Sequence, residues 1–225
     1  MTQHIHVFDT ESASFDGGVV EIALVVLDDS FNVVVEVESL IDPERPISPQ
    51  AMGIHHITDE MVWAEPTLAE WDRMNDRPFM TPDLIVCGHN VAFDIRMCKA
   101  VLPEQHTSLC TLKLARAVWP DAPDHKLQTL RYMLGLDAGD AHRAMGDVKA
   151  CVSLLRKVRE VKGWALQQML EACRKPLSTS TLMPFGKHKG TKLSDLPKSY
   201  ITWALSPSGL TSCDPDLRAA LESLR

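Results

Sequence analysis

Short apolar runs separated by polar turns dominate the first ninety positions. Residues 4–8 are rich in apolar side chains, and residues 19–27 and 32–40 are dominated by Val, Ile and Leu, which is typical of strands. Glycine and aspartate clusters between these runs supply turns. Residues 84–87 form a fourth short apolar run. The pattern predicts a meander of three strands followed by a separate buried strand.

The spacing of apolar positions changes to three and four residues in the second half, which predicts helices. Pro43, Pro46 and Pro49 exclude regular structure before about residue 50. Three helix faces are indicated by Leu68, Trp71 and Met74, by Leu127, Leu130 and Leu134, and by Ala144, Val148, Cys151, Leu155 and Val158. Strands followed by alternating strands and helices predict an α/β domain with a mixed central β-sheet flanked by helices.

The composition changes near residue 174. Residues 174–184 are rich in Pro, Ser and Thr, which is typical of a linker, and about forty residues follow it. We therefore expect a domain over residues 1–173, a linker over residues 174–184 and a small basic C-terminal module over residues 185–225. A chain of 225 residues is long enough for one compact core with such an appendage.

The bulk composition predicts a cytoplasmic protein that does not enter membranes. No apolar run reaches the ~18 residues that a membrane helix needs, and the N-terminus lacks the basic and apolar regions of a signal peptide. None of the six cysteines lies at C-x-x-C spacing, which argues against a zinc ribbon. Reduced cysteines fit a cytosolic protein.

Charge is distributed unevenly along the chain. The net charge is −7, yet residues 174–203 contain six Lys or Arg and one acid, Asp195, and are therefore +5. The rest of the chain is −12. A metal site built from carboxylates belongs on the acidic part, and a phosphate-binding surface belongs on the basic part.

Four acidic residues and one histidine occupy positions that suggest chemistry. Asp9 and Glu11 lie two apart at the end of the first predicted strand, so their side chains share a face. Asp94 follows the fourth strand, and Asp147 lies on the long helix five residues after His142. Each signal alone is more typical of a helix cap or a surface pair. Their combination and order carry the inference.

This set resembles the DEDDh superfamily of 3′→5′ exonucleases over roughly residues 4–160. The resemblance implies an RNase H-like exonuclease fold, with Asp9, Glu11, Asp94 and Asp147 as metal ligands and His142 as general base. Residues 45–58, 111–120 and 185–190 are similar to the exodeoxyribonuclease X-like subgroup and extend the resemblance over almost the whole chain.

The resemblance implies hydrolysis assisted by two Mg²⁺ ions, for which Mn²⁺ can substitute. Two hard cations bound to oxygen ligands activate a water, neutralise the scissile phosphate and stabilise the leaving oxygen. A histidine is suited to accept the proton of that water. The expected product is a nucleoside 5′-monophosphate.

Further residues are candidates for holding the substrate. Ile54 and Phe15 can equally pack in the core, Asn90 can cap the next helix, and the C-terminal lysines can be part of a solvated turn. We expect the lysines to contact backbone phosphates on the duplex side, and Trp203 to pack in the core of the module. The substrate-binding candidates are Thr10, Phe15, Ile54, His55, Asn90, Phe93, Lys187, Lys189 and Lys192.

The predicted function is removal of nucleotides from the 3′ end of DNA, single-stranded or frayed duplex, in DNA repair or end trimming. RNA is a possible substrate, as in an oligoribonuclease or a ribonuclease T-like enzyme, because a 2′-hydroxyl is sensed outside the metal site. A polymerase proofreading subunit and an inactive nucleic-acid-binding protein are further alternatives, although an inactive domain need not keep all five residues. The sequence leaves the oligomeric state open.

Overall fold

The computed structural model describes residues 3–137, 139, 142–175, 177–184, 186–206, 209 and 215–225. The chain forms two compact units, Met1–Leu170 and Glu171–Arg225.

The first unit is built on a five-stranded sheet in the order β3-β2-β1-β4-β5. Its strands are β1 (Ile5–Ser14), β2 (Gly17–Leu27), β3 (Val33–Leu40), β4 (Ile85–Gly88) and β5 (Thr107–Cys110). The first three strands form antiparallel pairs, whereas β4 is parallel to β1 and β5 is parallel to β4. The predicted meander and the mixed sheet are both present.

The first strand is longer than its apolar run predicts. Instead of ending near Phe8, β1 continues to Ser14, because its polar second half pairs with β2 as far as Gly17. Asp9 and Glu11 therefore lie within the strand rather than at its end. A register shift between Glu11 and Ser12 follows directly.

Ten α-helices are present in the described part of the chain, together with one 3₁₀ turn, Leu193–Asp195. The first begins at Pro49, where Ser48 accepts a hydrogen bond from the Ala51 amide at 3.2 Å, in agreement with the expected end of the proline-rich segment. The helices are α1 (Pro49–His55), α2 (Asp59–Val62), α3 (Leu68–Met74), α4 (Ala92–Met97), α5 (Thr111–Val118), α6 (Leu127–Leu134), α7 (Ala144–Lys162), α8 (Leu166–Arg174), α9 (Lys198–Ala204) and α10 (Pro215–Glu222).

Helix α7 packs against β1 and β2 and joins the sheet to the second half of the unit. Its predicted apolar face is buried throughout, including Val148, Cys151 and Leu155. On the sheet, β2 is buried along nearly its whole length, as expected for a strand with neighbours on both sides. This packing fixes the position of the first turn of α7 relative to β1.

The second unit has a small core of its own. Met183, Leu193, Ile201 and Leu217 are buried in it, and Leu177 packs against it. The expected linker, residues 174–184, thus contributes two side chains to this core. Phe185, with which the predicted module begins, lies outside the described residues.

The expectation that Trp203 packs in the core of this unit is wrong. Its side chain is 46% exposed, because α9 directs Ile201 and Ala204 inward and leaves the two positions between them on the outside.

Among the described residues, no helix is both long enough and apolar enough to span a membrane.

Candidate active site

Three carboxylates converge where α7 meets the sheet. Asp9 and Glu11 project from the same face of β1, and Asp147 lies in the first turn of α7. One carboxylate oxygen from each lies within 4.8 Å of the others, and all three side chains are partly exposed. Closely spaced carboxylate oxygens open to solvent are the ligands that hard divalent cations prefer. This cluster is the candidate metal centre.

Asp94 lies beside this cluster rather than within it. It belongs to the first turn of α4 and is buried. Its Oδ1 accepts hydrogen bonds from the Thr10 amide at 3.0 Å and the Thr10 hydroxyl at 2.8 Å. Thr10, which lies between Asp9 and Glu11 on β1, therefore holds the Asp94 carboxylate through two hydrogen bonds.

His142 precedes α7 instead of lying on it. Its side chain is exposed, and its backbone has the left-handed value φ = 58°. Burial raises the pKa of Asp147, while the charge of His142 and a hydrogen bond from its backbone act in the opposite direction. His142 is thus close to Asp147, and its side chain is open to solvent.

The acidic residues destabilise one another's charged forms. Burial is the main reason that the pKa of Asp9 lies well above its usual range, and the charges of Asp94 and Asp147 raise it further. Burial and then the charge of Asp147 raise the pKa of Glu11 to about 8. Burial also raises the pKa of Asp94 to about 7, although hydrogen bonds from Thr10 oppose this. A bound dication would relieve this repulsion, so the donor set fits a metal ion.

We expect the metal-free protein to lose stability as the pH rises. A carboxyl whose pKa is higher in the folded chain stabilises the fold below its unfolded pKa, and this contribution disappears as the pH passes the folded value. For Glu11 the window runs from 4.5 to about 8. In chelator, the midpoint of thermal unfolding should fall across this window. Mg²⁺ should restore it at the upper end, because the cation binds only the assembled carboxylates.

Circular dichroism melts at several pH values, with chelator and with Mg²⁺, would measure this effect. The control is Glu11→Gln, which removes the titrating group and should flatten the dependence in chelator. A midpoint that rises with pH in chelator would contradict the proposed mutual repulsion.

A buried glutamate that was not predicted from the sequence anchors α7 through an ion pair. Glu21 on β2 is fully buried, pairs in register with Glu11, and accepts a hydrogen bond from the Ala144 amide at 2.8 Å. The Arg143 guanidinium donates to both oxygens of the same carboxylate. A single glutamate inside the apolar run 19–27 was the available signal, because an isolated acid in a buried strand requires a partner.

A second missed residue is Gln128 on α6. Its side-chain Nε2 donates to Asp147 Oδ1 at 2.7 Å. This hydrogen bond restrains the orientation of the Asp147 carboxylate. The sequence offers no signal for this contact, because the two residues come from different helices.

Two aromatic rings, those of Phe15 and Phe93, lie beside the Arg96 guanidinium near the tip of the first hairpin. Phe15, in the turn between β1 and β2, is 65% exposed, and its ring centroid lies 6.0 Å from that of the partly buried Phe93. The Arg96 guanidinium lies 5.1 Å from the Phe15 centroid and 5.2 Å from the Phe93 centroid. Arg96, which the sequence did not suggest, links the two candidate residues into one surface.

The remaining candidates in this unit have different surroundings. His55 is buried, with Nδ1 accepting from the Ile57 amide at 3.0 Å and Nε2 lying 3.3 Å from the Ser12 carbonyl oxygen, so both ring nitrogens are engaged inside the protein. Ile54 is 54% exposed rather than in the core. Asn90 is partly exposed and precedes Val91, the residue that caps α4.

The three candidate lysines of the second unit, Lys187, Lys189 and Lys192, are all exposed. Lys187 and Lys189 belong to a turn on either side of His188, and Lys192 immediately precedes the 3₁₀ turn. All three are therefore available to an anionic ligand.

A mixed sheet of this order, with an acidic cluster where a helix meets its central strand, defines the RNase H-like exonuclease fold. The chain belongs to the exonuclease family, whose model matches residues 6–155. A second family model, with the description quorum-sensing-regulated virulence factor, matches residues 176–209.

Individual relatives identify the type of exonuclease more closely than the family model does. The chain is 33% identical to exodeoxyribonuclease 10 of Escherichia coli, over 97% of each chain. It is 31% identical to the DNA polymerase III subunit epsilon of Treponema pallidum, over 67% of this chain and 76% of that one. A solved structure of exonuclease X in complex with 5′-overhanging duplex DNA has 33% identity and a TM-score of 0.63, covering 75% of this chain and 98% of that one. The protein is a nuclease homologous to exodeoxyribonuclease X, as the resemblance predicted.

Proposed function

We propose that this protein removes nucleotides from the 3′ end of DNA and releases nucleoside 5′-monophosphates. The observation that carries the proposal is the cluster of Asp9, Glu11 and Asp147 on an exonuclease fold. DNA is favoured as the substrate because the similarity to an exodeoxyribonuclease extends over 97% of the chain. The similarity to the polymerase subunit covers 67% of the chain, which favours a separate exonuclease over a proofreading subunit.

The proposed cofactor is a pair of Mg²⁺ ions, replaceable by Mn²⁺, held by Asp9, Glu11, Asp94 and Asp147. Such ions supply charge neutralisation and an acidified water. Three of the carboxylates offer partly exposed oxygens, and Asp94 can join them with Oδ2, since both hydrogen bonds from Thr10 go to Oδ1. Gln128 orients the Asp147 carboxylate through its 2.7 Å hydrogen bond.

His142 is the proposed general base. Its exposed side chain and its backbone interaction with Asp147 place it at the open edge of the acidic cluster. Arg143, the residue after His142, forms a salt bridge with the buried Glu21 of β2. This salt bridge restrains the backbone next to His142, which supports its role as a positioned base. His142 accepts the proton of the attacking water.

A parallel assay of three labelled substrates tests the proposal. Single-stranded DNA, duplex DNA and short RNA of the same sequence, each labelled at the 5′ end, should be compared with Mg²⁺ and with chelator. We expect a ladder of products shortened from the 3′ end on DNA, with slower cleavage of RNA and none in chelator. Faster cleavage of RNA would favour an RNA-trimming enzyme.

We further propose that an exonuclease domain is followed by a small basic module, whose core includes Leu177 and Met183 of the predicted linker. The proposed setting is the cytoplasm, in DNA repair or end trimming. The five cysteines that the structure describes are buried, where a thiol packs as a small apolar side chain.

The exposed ring of Phe15 is expected to help open the last base pair of a duplex. An apolar side chain at the tip of a hairpin can press against a terminal base pair and replace the lost stacking, worth about 1–3 kcal/mol per base. Phe15→Ala should therefore slow digestion of blunt duplex by roughly 5-fold or more relative to single strands. Initial rates on the two substrates measure the ratio.

Trp63→Ala provides the matched control, because Trp63 is an exposed aromatic residue of the same unit at 77% exposure. Its variant should leave the ratio of duplex to single-strand rates unchanged. Equal slowing of Phe15→Ala on both substrates would make the ring a stacking contact for the terminal base alone.

A further inference from the structure

Three aromatic rings lie next to one another on the second unit. The ring centroids of His188 and Tyr200 are 4.4 Å apart, at an interplanar angle of 64°. Those of Tyr200 and Trp203 are 5.3 Å apart, at 40°. His188 comes from the turn before the 3₁₀ helix, and the other two come from α9, so the group joins two separate segments.

Of the three rings, that of Trp203 is the most exposed. Trp203 follows Tyr200 by three residues and lies on the same side of α9, next to the side that buries Ile201 and Ala204. At 46% exposure it leaves a large flat surface in contact with water. Such a ring, supported from behind by a second ring, is pre-ordered for stacking on a planar ligand.

The surroundings of the rings are positively charged. Lys187 and Lys189 flank His188 in sequence, and both are exposed. Neither lysine forms an ion pair with a carboxylate of the described residues. Asp195 is the only acid in residues 174–203, a segment whose net charge is +5. The preferred ligand is therefore both planar and anionic.

We propose that His188, Tyr200 and Trp203, together with Lys187 and Lys189, form a binding site for single-stranded DNA on the second unit. The bases of a duplex are stacked on one another, so only unpaired bases offer a free face to an exposed tryptophan. The lysines neutralise the phosphates between the stacked bases. The choice of DNA rests on the proposed function. The sequence predicted that the lysines contact phosphates of a duplex, whereas this site predicts that Lys187 and Lys189 contact phosphates of a single strand.

The experiment measures the binding of a fluorescent twenty-nucleotide dT strand to the full chain by anisotropy in chelator, where hydrolysis is suppressed. Trp203→Ala should weaken binding about 5–100-fold, the range for loss of stacking with a base. Trp203→Phe should restore most of the affinity, because it retains a ring. Trp63→Ala removes an exposed tryptophan of the other unit and should leave the affinity unchanged.

Salt dependence separates the rings from the lysines. The variant with both Lys187→Ala and Lys189→Ala should flatten the plot of log K against log salt by ~0.7 for each phosphate of the single strand that is no longer neutralised. Trp203→Ala should lower the whole plot without changing its slope. Thermal melts of each variant verify folding. Because the two lysine substitutions lie in an exposed turn, the lysine variant tests the site even if the tryptophan variant unfolds.

Two results would overturn the proposal. One is equal affinity of Trp203→Ala and Trp63→Ala for the dT strand. The other is an equal loss of affinity for single-stranded and duplex DNA in Trp203→Ala, which would indicate contact with phosphates alone. Hydrolysis of the p-nitrophenyl ester of thymidine 5′-monophosphate with Mg²⁺ should be spared in Trp203→Ala. Absence of this hydrolysis in the wild type would count against the proposed nuclease, not against the binding site.

Discussion

Asp9→Ala and Asp147→Ala should each reduce hydrolysis of single-stranded DNA by ~10³-fold or more, to a level close to that of the wild type in chelator. Metal ions contribute several kcal/mol of charge stabilisation to the transition state, and each 1.36 kcal/mol corresponds to a factor of ten. Both residues belong to the group of carboxylate oxygens within 4.8 Å of one another. Loss of either leaves too few ligands to hold the cation.

A second measurement distinguishes loss of metal from loss of structure. Because burial and then the charges of neighbouring acids raise the pKa of Asp9, Asp9→Ala removes a carboxylate whose charged form is unfavourable, and it should raise the thermal midpoint of the chelated protein. Asp94→Ala should lower that midpoint instead, because it leaves the buried amide and hydroxyl of Thr10 without their acceptor.

Asp121→Ala, which removes an exposed acid in the loop after α5, is the control for general effects of charge. It should leave both the rate and the response to Mg²⁺ unchanged. Full activity of Asp9→Ala, or undiminished wild-type hydrolysis in excess chelator, would contradict metal-assisted catalysis.

The sequence predicts those parts of the fold that depend on local periodicity. The apolar faces of α6 and α7 and the strands β2, β3 and β4 agree with the predicted ranges within one or two residues. The end of β1 could not be predicted in the same way. Its polar second half is held by pairing with β2, and a pairing partner leaves no mark on a strand's own pattern.

The site shows the same division between local and distant effects. The two-residue spacing of Asp9 and Glu11 predicts their common face, but no spacing reveals that Glu21 lies opposite Glu11 and binds Arg143. Likewise, α9 is too short for its pattern to show which side is buried, so the exposure of Trp203 depends on packing within its own unit. Contacts between distant segments account for each of these differences.

Replacement of His142 should reduce turnover by ~10²–10⁴-fold, the usual contribution of a positioned general base, with little change in DNA affinity. The residue has φ = 58°, a conformation that asparagine tolerates better than alanine. His142→Asn therefore removes the imidazole without adding backbone strain, and His142→Ala shows how much strain contributes.

His56 provides the matched control, because it is also an exposed histidine with a left-handed backbone, φ = 60°. His56→Asn should retain full turnover. Single-turnover rates with Mg²⁺ and binding with Ca²⁺ in its place separate chemistry from affinity. If His142→Asn keeps its turnover but binds DNA more weakly, the imidazole contacts the substrate instead of accepting the proton of the attacking water.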